Sequence, residues 1–163
     1  AEASSFDYAS DRIAAVMARL AAIPHLDVVR IHTRIPVVAP ARIDAAMLAA
    51  LSAERLAVWV VLHTNHANEL TEDTRAALAR LAQAGIPLLS QTVLLKGVNA
   101  DADTLADLRG RISGTCLPQY VLDLPGGHGK VPLGPDYLQA TGPGHWRIRD
   151  WQGAFHDYRD PEV

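Results

Sequence analysis

The feature that most constrains the fold of this chain is the alternation of strand-like apolar runs with helix-like amphipathic segments along its 163 residues. The apolar runs recur about every 30 residues, and the stretches between them carry apolar side chains at helical spacing. This order is typical of βαβ units, in which helices join parallel strands and cover the sheet. The sequence therefore predicts an α/β fold with a parallel sheet.

The individual elements can be placed by their patterns. The predicted strands are 28–31, 56–62, 87–95 and 120–122, and the predicted helices are 11–20, 43–51, 72–84 and 102–108. Thr71 suits the N-cap of the third helix, and Gly85 lies where a helix C-terminus favours glycine. After Lys130 the sequence predicts Pro- and Gly-rich coil over 131–144, followed by a hairpin over 146–158 that turns near Gln152 and Gly153.

Polar side chains gather at the C-terminal end of each predicted strand. In chain order they are His32 and Arg34, then His63, Asn65 and His66, then Gln91, then Asp123. Strand spacing alone fits either part of a (β/α) barrel or a small doubly wound sheet. Because barrel active sites lie at the C-terminal ends of the strands, these residues favour a partial (β/α) barrel over 1–130. Residues 131–163 then form a C-terminal extension packed on or next to the barrel.

Charge and hydropathy exclude several classes of function. The net charge is −3, and basic residues are interspersed with acidic ones, so we expect no nucleic-acid partner. No stretch approaches the roughly 20 apolar residues of a membrane helix, and the first residues lack the pattern of a signal peptide. We therefore expect a cytoplasmic protein without a membrane segment. The single Cys116 excludes an internal disulfide and any site built from several thiolates of this chain.

The glycine-rich segment Asp123-Leu-Pro-Gly-Gly-His-Gly-Lys130 is the sharpest local motif. Its glycines would let backbone amides approach a phosphate. A P-loop does not fit, because the spacer before Gly-Lys is short, no Ser or Thr follows Lys130 and no amphipathic helix begins there. A lysine on such a loop suits Schiff-base formation with pyridoxal phosphate, and a solvated turn lysine remains the alternative.

The segment His63-Thr-Asn-His-Ala-Asn-Glu69 follows the second predicted strand. Two histidines and a carboxylate could bind a metal, but they precede a helix rather than share one of its faces. Hydrogen-bonding loop residues that shape a cleft are the favoured interpretation, so we predict no metal site. For Arg34 and Gln91, a surface ion pair and a strand-end amide are the simpler interpretations when each is taken alone.

Taken together and in order, four segments resemble the lysine 2,3-aminomutase family. They are Val29-Arg-Ile-His-Thr-Arg-Ile-Pro-Val-Val38, His63-Thr-Asn-His-Ala-Asn-Glu69, Gly85-Ile-Pro-Leu-Leu-Ser-Gln-Thr-Val-Leu-Leu-Lys-Gly-Val-Asn99, and the stretch from Arg109 to Leu138. The resemblance covers nearly the whole chain. Several motifs of this length in the right order are far more specific than any one of them.

The resemblance implies a partial (β/α) barrel that works with a 4Fe–4S cluster, S-adenosylmethionine and pyridoxal phosphate. In that family a 5′-deoxyadenosyl radical abstracts a substrate hydrogen, and pyridoxal phosphate carries the migrating amino group. The family motif Asp-x-Pro-Gly-Gly-x-Gly-Lys implies Lys130 as the cofactor lysine and Asp123 as the residue that binds the side-chain amine of substrate lysine. His63, Asn65 and Gln91 are the further cofactor-binding residues that we expect.

This chain also departs from the family pattern. Ser90 and His128 replace the usual asparagine and glycine. The cluster motif Cys-x-x-x-Cys-x-x-Cys is absent, together with the first strands and an arginine for the substrate carboxylate. One further strand and helix are missing near Leu108 and Arg109, either through a true deletion or because the numbering closes over a stretch of chain.

The expected activity is migration of the amino group of L-lysine, or a close relative, between C2 and C3. Asp123 favours a substrate with a distal amine, since a carboxylate there repels the side chain of glutamate. Without cluster cysteines, the chain alone is expected to be inactive. The alternatives are a degenerate non-catalytic paralogue and a pyridoxal-phosphate-binding protein without radical chemistry. The expected partners are a small-molecule amino acid and further copies of the chain in a homo-oligomer.

Overall fold

The computed structural model describes residues 10–52, 55–112, 114–124, 129–132, 134–150 and 152–159. Within the strands it describes only the backbone of residues 117–120, 122, 123, 129 and 130. The helices are α1 (Ser10–Ala21), α2 (Ile35–Val38), α3 (Ala45–Leu51), α4 (Glu72–Gln83) and α5 (Ala102–Ile112). The strands are β1 (Val28–Thr33), β2 (Ala57–His63), β3 (Leu88–Val93), β4 (Leu117–Leu124), β5 (Gly129–Pro132), β6 (Leu138–Gly142), β7 (His145–Arg149) and β8 (Phe155–Arg159).

The larger sheet has the order β1-β2-β3-β4-β5. Strands β1 to β4 are mutually parallel, and β5 pairs with β4 in the antiparallel sense. The four predicted strands and their parallel arrangement are therefore confirmed. Within the described residues the sheet ends at β1 and β5 and does not close on itself, so the α/β class is established and the barrel is not.

The main core lies between the helices and one face of this sheet. Along β2, Val58, Val60 and Leu62 face the helices and belong to one cluster with Leu78 and Leu81 of α4. The side chain of Thr71 accepts a hydrogen bond from the backbone N–H of Thr74, as expected for the N-cap of α4. Gly85 follows the helix with a φ of +77°, a conformation that glycine adopts without strain. The predicted boundaries of α4 are thus confirmed to within a residue.

Helix α5 is longer than the pattern predicted. It runs without interruption through Leu108 and Arg109 to Ile112 rather than ending at residue 108. Leu108 and Ile112 are both buried and lie four residues apart, so they share one face of the helix. This apolar face continues past Gly110, and the helix continues with it. Strand β4 is longer as well, spanning Leu117–Leu124 instead of 120–122.

The C-terminal part corrects one prediction and confirms another. The stretch 131–144 was predicted as coil, but β5 reaches Pro132 and β6 covers Leu138–Gly142. Proline is tolerated at the end of an edge strand, because no further strand needs the N–H that proline lacks. A proline-containing edge strand is therefore easily mistaken for coil when only composition is considered. The predicted hairpin is confirmed: β7 pairs with β8 in the antiparallel sense, and β6 completes a three-stranded sheet.

A second, smaller core joins the two sheets. Leu124 of β4 and Val131 of β5 pack with the fully buried Ile148 of β7. Partly buried side chains complete this cluster: Tyr137, Leu138, Trp146 and Tyr158. The three-stranded sheet is thereby attached to the β4–β5 hairpin. In the described part of the chain, no helix has the length and hydrophobicity needed to cross a bilayer.

Candidate functional site

Three neighbouring parallel strands deliver His32, His63 and Gln91 to the same edge of the larger sheet. His63 and Gln91 are register partners in β2 and β3. The Nδ1 atom of His32 lies 3.1 Å from Oε1 of Gln91 and 3.4 Å from Nε2 of His63. The two imidazole rings meet edge to face, with centroids 5.6 Å apart. The sequence placed these residues at strand ends, and the structure brings their side chains into contact.

The chemistry of this His–Gln cluster follows from its hydrogen bonding. An amide oxygen can only accept, so this contact is a hydrogen bond in the tautomer of His32 that carries its proton on Nδ1. Gln91 is 8% exposed. When its side-chain oxygen accepts from His32, its NH₂ group still has two protons that it can donate. A ligand bound at this edge would therefore meet amide donors next to two imidazole rings.

Glu69 organises the loop that follows β2. Its Oε1 atom accepts hydrogen bonds from the backbone N–H groups of Asn65, at 3.0 Å, and His66, at 3.1 Å. Its Oε2 atom lies 2.6 Å from Nη2 of Arg34, at the end of β1. One carboxylate thus ties the end of the first strand to the loop after the second. The simple interpretation of Arg34 as an ion-paired residue fits this contact.

The two histidines of the segment 63–69 have different roles. The ring of His63 contacts His32, whereas Nδ1 of His66 accepts the backbone N–H of Asn68 and caps the short 3-10 helix Ala67–Glu69. Glu69 is occupied by its N–H donors and Arg34. Over the residues that the structure describes, no three or more His, Cys, Asp or Glu side chains are grouped so as to hold a metal ion.

Asn65 connects the loops after β2 and β3. Its Oδ1 atom accepts the backbone N–H of Val93 at 3.0 Å, and its main-chain carbonyl accepts from Nδ2 of Asn99 at 2.7 Å. The oxygen of the Asn65 side chain is therefore engaged within the protein. A cofactor contact through its amide protons stays a prediction.

Asp123 and Lys130 face each other across the β4–β5 hairpin. They are register partners in the antiparallel pair, which Leu124 and Gly129 close. The intervening residues 125–128, which the sequence assigned to phosphate approach, lie outside the described residues. The prediction that a loop presents Lys130 needs correction, since its backbone belongs to β5. Strand β5 runs antiparallel to β4, so Asp123 and Lys130, which are seven positions apart in the sequence, are register partners.

Cys116 lies just before β4 and is buried. Burial raises the pKa of its thiol to about 11. Since the thiolate is the form that binds metal, Cys116 at neutral pH behaves as a small apolar side chain.

Two site-forming residues had not been singled out from the sequence. In the sequence, Glu69 is only a possible metal ligand, and Asn99 stands out only as part of a longer family segment. The signal for Asn99 was local: Gly97 precedes it with a φ of +74° and turns the chain back toward β3. Contacts that join residues 34 positions apart, as Asn65 and Asn99 do, leave no periodic trace in the sequence.

Comparison with known proteins indicates which family this chain belongs to. The family model described as lysine-2,3-aminomutase matches residues 105–163. The L-lysine 2,3-aminomutase of Acetoanaerobium sticklandii is 33% identical over 184 residues, covering 88% of this chain and 44% of that protein. This chain belongs to the lysine 2,3-aminomutase family. The family assignment expected from the sequence motifs is confirmed.

Other members of the lysine 2,3-aminomutase family match as well. The L-lysine 2,3-aminomutase of Escherichia coli (strain K12) is 42% identical over 107 residues, which are 66% of this chain and 31% of that protein. The glutamate 2,3-aminomutase of Clostridioides difficile is 32% identical over 178 residues, covering 85% of this chain and 42% of that protein. The chain thus spans less than half the length of these relatives.

The Acetoanaerobium sticklandii protein also carries residues within the matched region that this chain lacks. The match to the Acetoanaerobium sticklandii protein runs over 184 positions, whereas 88% of 163 residues is about 143 residues. About 40 positions of that aminomutase therefore have no counterpart here, enough for one strand, one helix and their connections. This agrees with the missing strand and helix that the motifs indicated, and their place between Leu108 and Arg109 stays a prediction.

Proposed function

We propose that the protein is an aminomutase that moves the amino group of L-lysine, or of a close relative, between C2 and C3. The observation that carries this proposal is the register pairing of Asp123 with Lys130 in a chain of the lysine 2,3-aminomutase family. The family motif assigns one of these positions to the substrate amine and the other to the cofactor. Facing positions in one hairpin suit two residues that act on the same bound molecule.

We further propose that Lys130 holds pyridoxal phosphate through its primary amine. When bound, this cofactor supplies the conjugated, electron-withdrawing system that allows an amino group to migrate. The chain has two lysines, and the other, Lys96, is exposed in the turn after β3. The motif and the hairpin position both favour Lys130 over Lys96.

The remaining cofactor contacts are proposed at the C-terminal ends of β2 and β3. His63, Asn65 and Gln91 would contact S-adenosylmethionine or pyridoxal phosphate there, with the NH₂ group of Gln91 as a donor. Ligands for a 4Fe–4S cluster would come from outside these 163 residues, since Cys116 is a buried thiol of raised pKa. On this proposal, the chain by itself does not start the radical reaction.

The proposed substrate has a distal ammonium group. The charge of Asp123 attracts that group, and it would repel the side-chain carboxylate of glutamate. Lysine is therefore preferred, although one of the similar proteins is named a glutamate 2,3-aminomutase. The relatives described above carry aminomutase names, and nothing favours the alternatives of a non-catalytic paralogue or a pyridoxal-phosphate-binding protein without radical chemistry.

We also propose that β1 to β4 form part of a (β/α) barrel in the full-length protein. Four parallel strands with His32, His63 and Gln91 at their C-terminal ends support this, because that end carries the active site in such barrels. The cytoplasmic location, the homo-oligomeric state and the division of the chain near residue 130 stay predictions from the sequence.

The test of the proposed function is reductive trapping. The full-length protein as encoded is incubated with pyridoxal phosphate, reduced with borohydride, digested and mapped by mass spectrometry. We expect the cofactor on the peptide that contains Lys130. Lys130→Ala should remove this label, and the matched control Lys96→Ala should retain it. Label on Lys96, or on neither lysine, would contradict the assignment.

A further inference from the structure

The parallel ladder between β2 and β3 ends where the candidate site begins. The last register pair is His63 with Gln91, and the backbone N–H of Thr64 still donates to the carbonyl of Gln91 at 3.2 Å. Beyond this point the segments that follow β2 and β3 separate into loops. Asparagine side chains supply the next links across the gap, in place of backbone groups that no longer reach each other.

The first link is made by Asn65. Its Oδ1 atom accepts the backbone N–H of Val93, the last residue of β3, at 3.0 Å. A side-chain amide oxygen here takes the position that a backbone carbonyl of β2 would hold in a continuing ladder. The hydroxyl of Thr92 adds a parallel link, donating to the carbonyl of Thr64 at 2.8 Å.

The second link is made by Asn99, which is completely buried. Its Nδ2 group donates to the carbonyls of Asn65, at 2.7 Å, and Val93, at 2.9 Å. Its Oδ1 atom accepts the backbone N–H of Leu95 at 2.7 Å. Both amide protons and the oxygen are thus used on backbone groups, which is full satisfaction for a buried amide.

Both polar backbone groups of Asn65 are held by side chains. Glu69 holds its N–H and Asn99 holds its carbonyl. The adjoining residues His63 and Gln91 each contact the ring of His32 directly. A shift of the loop after β2 relative to β3 would therefore change the distances among these three side chains.

We propose that Asn99 is a positioning residue: its two amide protons set the spacing between the ends of β2 and β3, and so keep His63 and Gln91 in reach of His32. The relevance of this spacing to catalysis rests on the proposed function, since His63 and Gln91 are the proposed cofactor contacts. The spacing itself is a property of the folded chain and can be measured without any cofactor.

Three asparagine-to-aspartate substitutions in the full-length protein separate the donor role from the change in charge. Asn99→Asp keeps the oxygen that accepts from Leu95 but loses both donated bonds. Asn65→Asp keeps an oxygen for the N–H of Val93, the one side-chain hydrogen bond that Asn65 makes with the described residues. Asn68→Asp is the control, because Asn68 is exposed.

The readout is the nuclear Overhauser effect between the ring protons of His32 and His63, with the resonances assigned from His→Gln variants. We expect this signal to be lost in Asn99→Asp and retained in Asn65→Asp and Asn68→Asp, while the ring resonances of His145 stay unchanged in all three. Far-UV circular dichroism establishes that each variant is folded. A folded Asn99→Asp protein with the wild-type signal overturns the proposal.

If Asn99→Asp does not fold, Asn99→Ser tests the same clamp, because it removes both amide protons without burying a charge. We expect this variant to fold with a weakened His32–His63 signal. A full signal in folded Asn99→Ser overturns the proposal. Failure of reductive trapping at Lys130 in the wild-type protein would instead count against the proposed function and leave the histidine result intact.

Discussion

Glu69 beside β2 and Asp150 between β7 and β8 organise turns in the same chemical way but at different scales. Each carboxylate accepts two backbone N–H groups and one bond from a cationic or imidazole side chain. Glu69 binds Asn65, His66 and Arg34, and Asp150 binds Gln152, Ala154 and His156. The Arg34 contact spans 35 positions, whereas these three partners of the Asp150 side chain lie within six positions of it.

The difference shows which part of the molecule depends on tertiary structure. The Asp150 turn is a local device that closes one hairpin, and it can form wherever the two strands meet. The Glu69 carboxylate joins the ends of two parallel strands, so it holds its place only when the sheet is assembled. The candidate site is therefore built on contacts that the C-terminal hairpin does not need.

The largest expected effect comes from removing Glu69. Glu69→Ala leaves the N–H groups of Asn65 and His66 without their acceptor, and we expect a loss of about 2–3 kcal/mol in the free energy of unfolding. Arg34→Ala leaves those two bonds in place and removes only a partly exposed ion pair, so its expected cost is about 0–1 kcal/mol. Urea unfolding of both variants measures the difference. Equal losses would show that the ion pair, not the N–H bonds, carries the role of Glu69.

The β4–β5 hairpin offers the corresponding test of ligand binding. Asp123→Asn removes the charge that we assign to the distal ammonium of the substrate, while the cofactor lysine is untouched. We expect lysine to bind more weakly by about 1.5–3 kcal/mol in the full-length, cofactor-loaded enzyme. Borohydride labelling of Lys130 should stay at the wild-type level. A parallel loss of labelling would mean that Asp123 supports the cofactor rather than the substrate.

Asp150 makes the hairpin sensitive to acid. The hydrogen bond from His156 holds the pKa of Asp150 below its usual value, helped by the N–H groups of Ala154 and Gln152. A carboxyl group with a depressed folded-state pKa stabilises above its unfolded pKa, which is about 3.9, and loses that contribution as the pH falls through the lower folded value.

We therefore expect the amides of β7 and β8 to lose hydrogen-exchange protection when the pH drops below about 4. Asp150→Asn should be less protected at neutral pH and should show a flatter pH dependence over that window. The amides of β2, distant in sequence from this turn, serve as the internal reference. An unchanged slope in Asp150→Asn would exclude Asp150 as the titrating group.

The smallest expected effect concerns the buried hydroxyl group of Ser90, which we compare with that of Thr92. The Oγ atom of Ser90 and the Oγ1 atom of Thr64 have no hydrogen-bond partner among the described residues, whereas Oγ1 of Thr92 donates to the carbonyl of Thr64. Ser90→Ala should therefore change stability by no more than about 0.5 kcal/mol, and Thr92→Val should cost about 1 kcal/mol. Thermal unfolding compares them. A cost for Ser90→Ala as large as that for Thr92→Val would reveal a bond to Ser90.

Local pattern was enough for the regular elements. The apolar stripe and the Thr71 cap marked α4, and the valine-rich run marked β2. The local pattern failed for β5 and β6. Gly129 and Pro132 of β5 and Gly142 of β6 are residue types typical of coil, although edge strands tolerate them. The motifs also indicated the family, and the candidate residues at the strand ends were evident because parallel strands share one C-terminal edge.

The sequence by itself determined the four parallel strands, the helices α1, α3, α4 and α5 and the family, because each depends on spacing along the chain. Only the tertiary structure decided that His32, His63 and Gln91 touch, that Glu69 and Asn99 clamp the loops, and that Asp123 and Lys130 are register partners. The physical reason is that hydrogen bonds act over about 3 Å in space and leave no period in the sequence when they join distant residues.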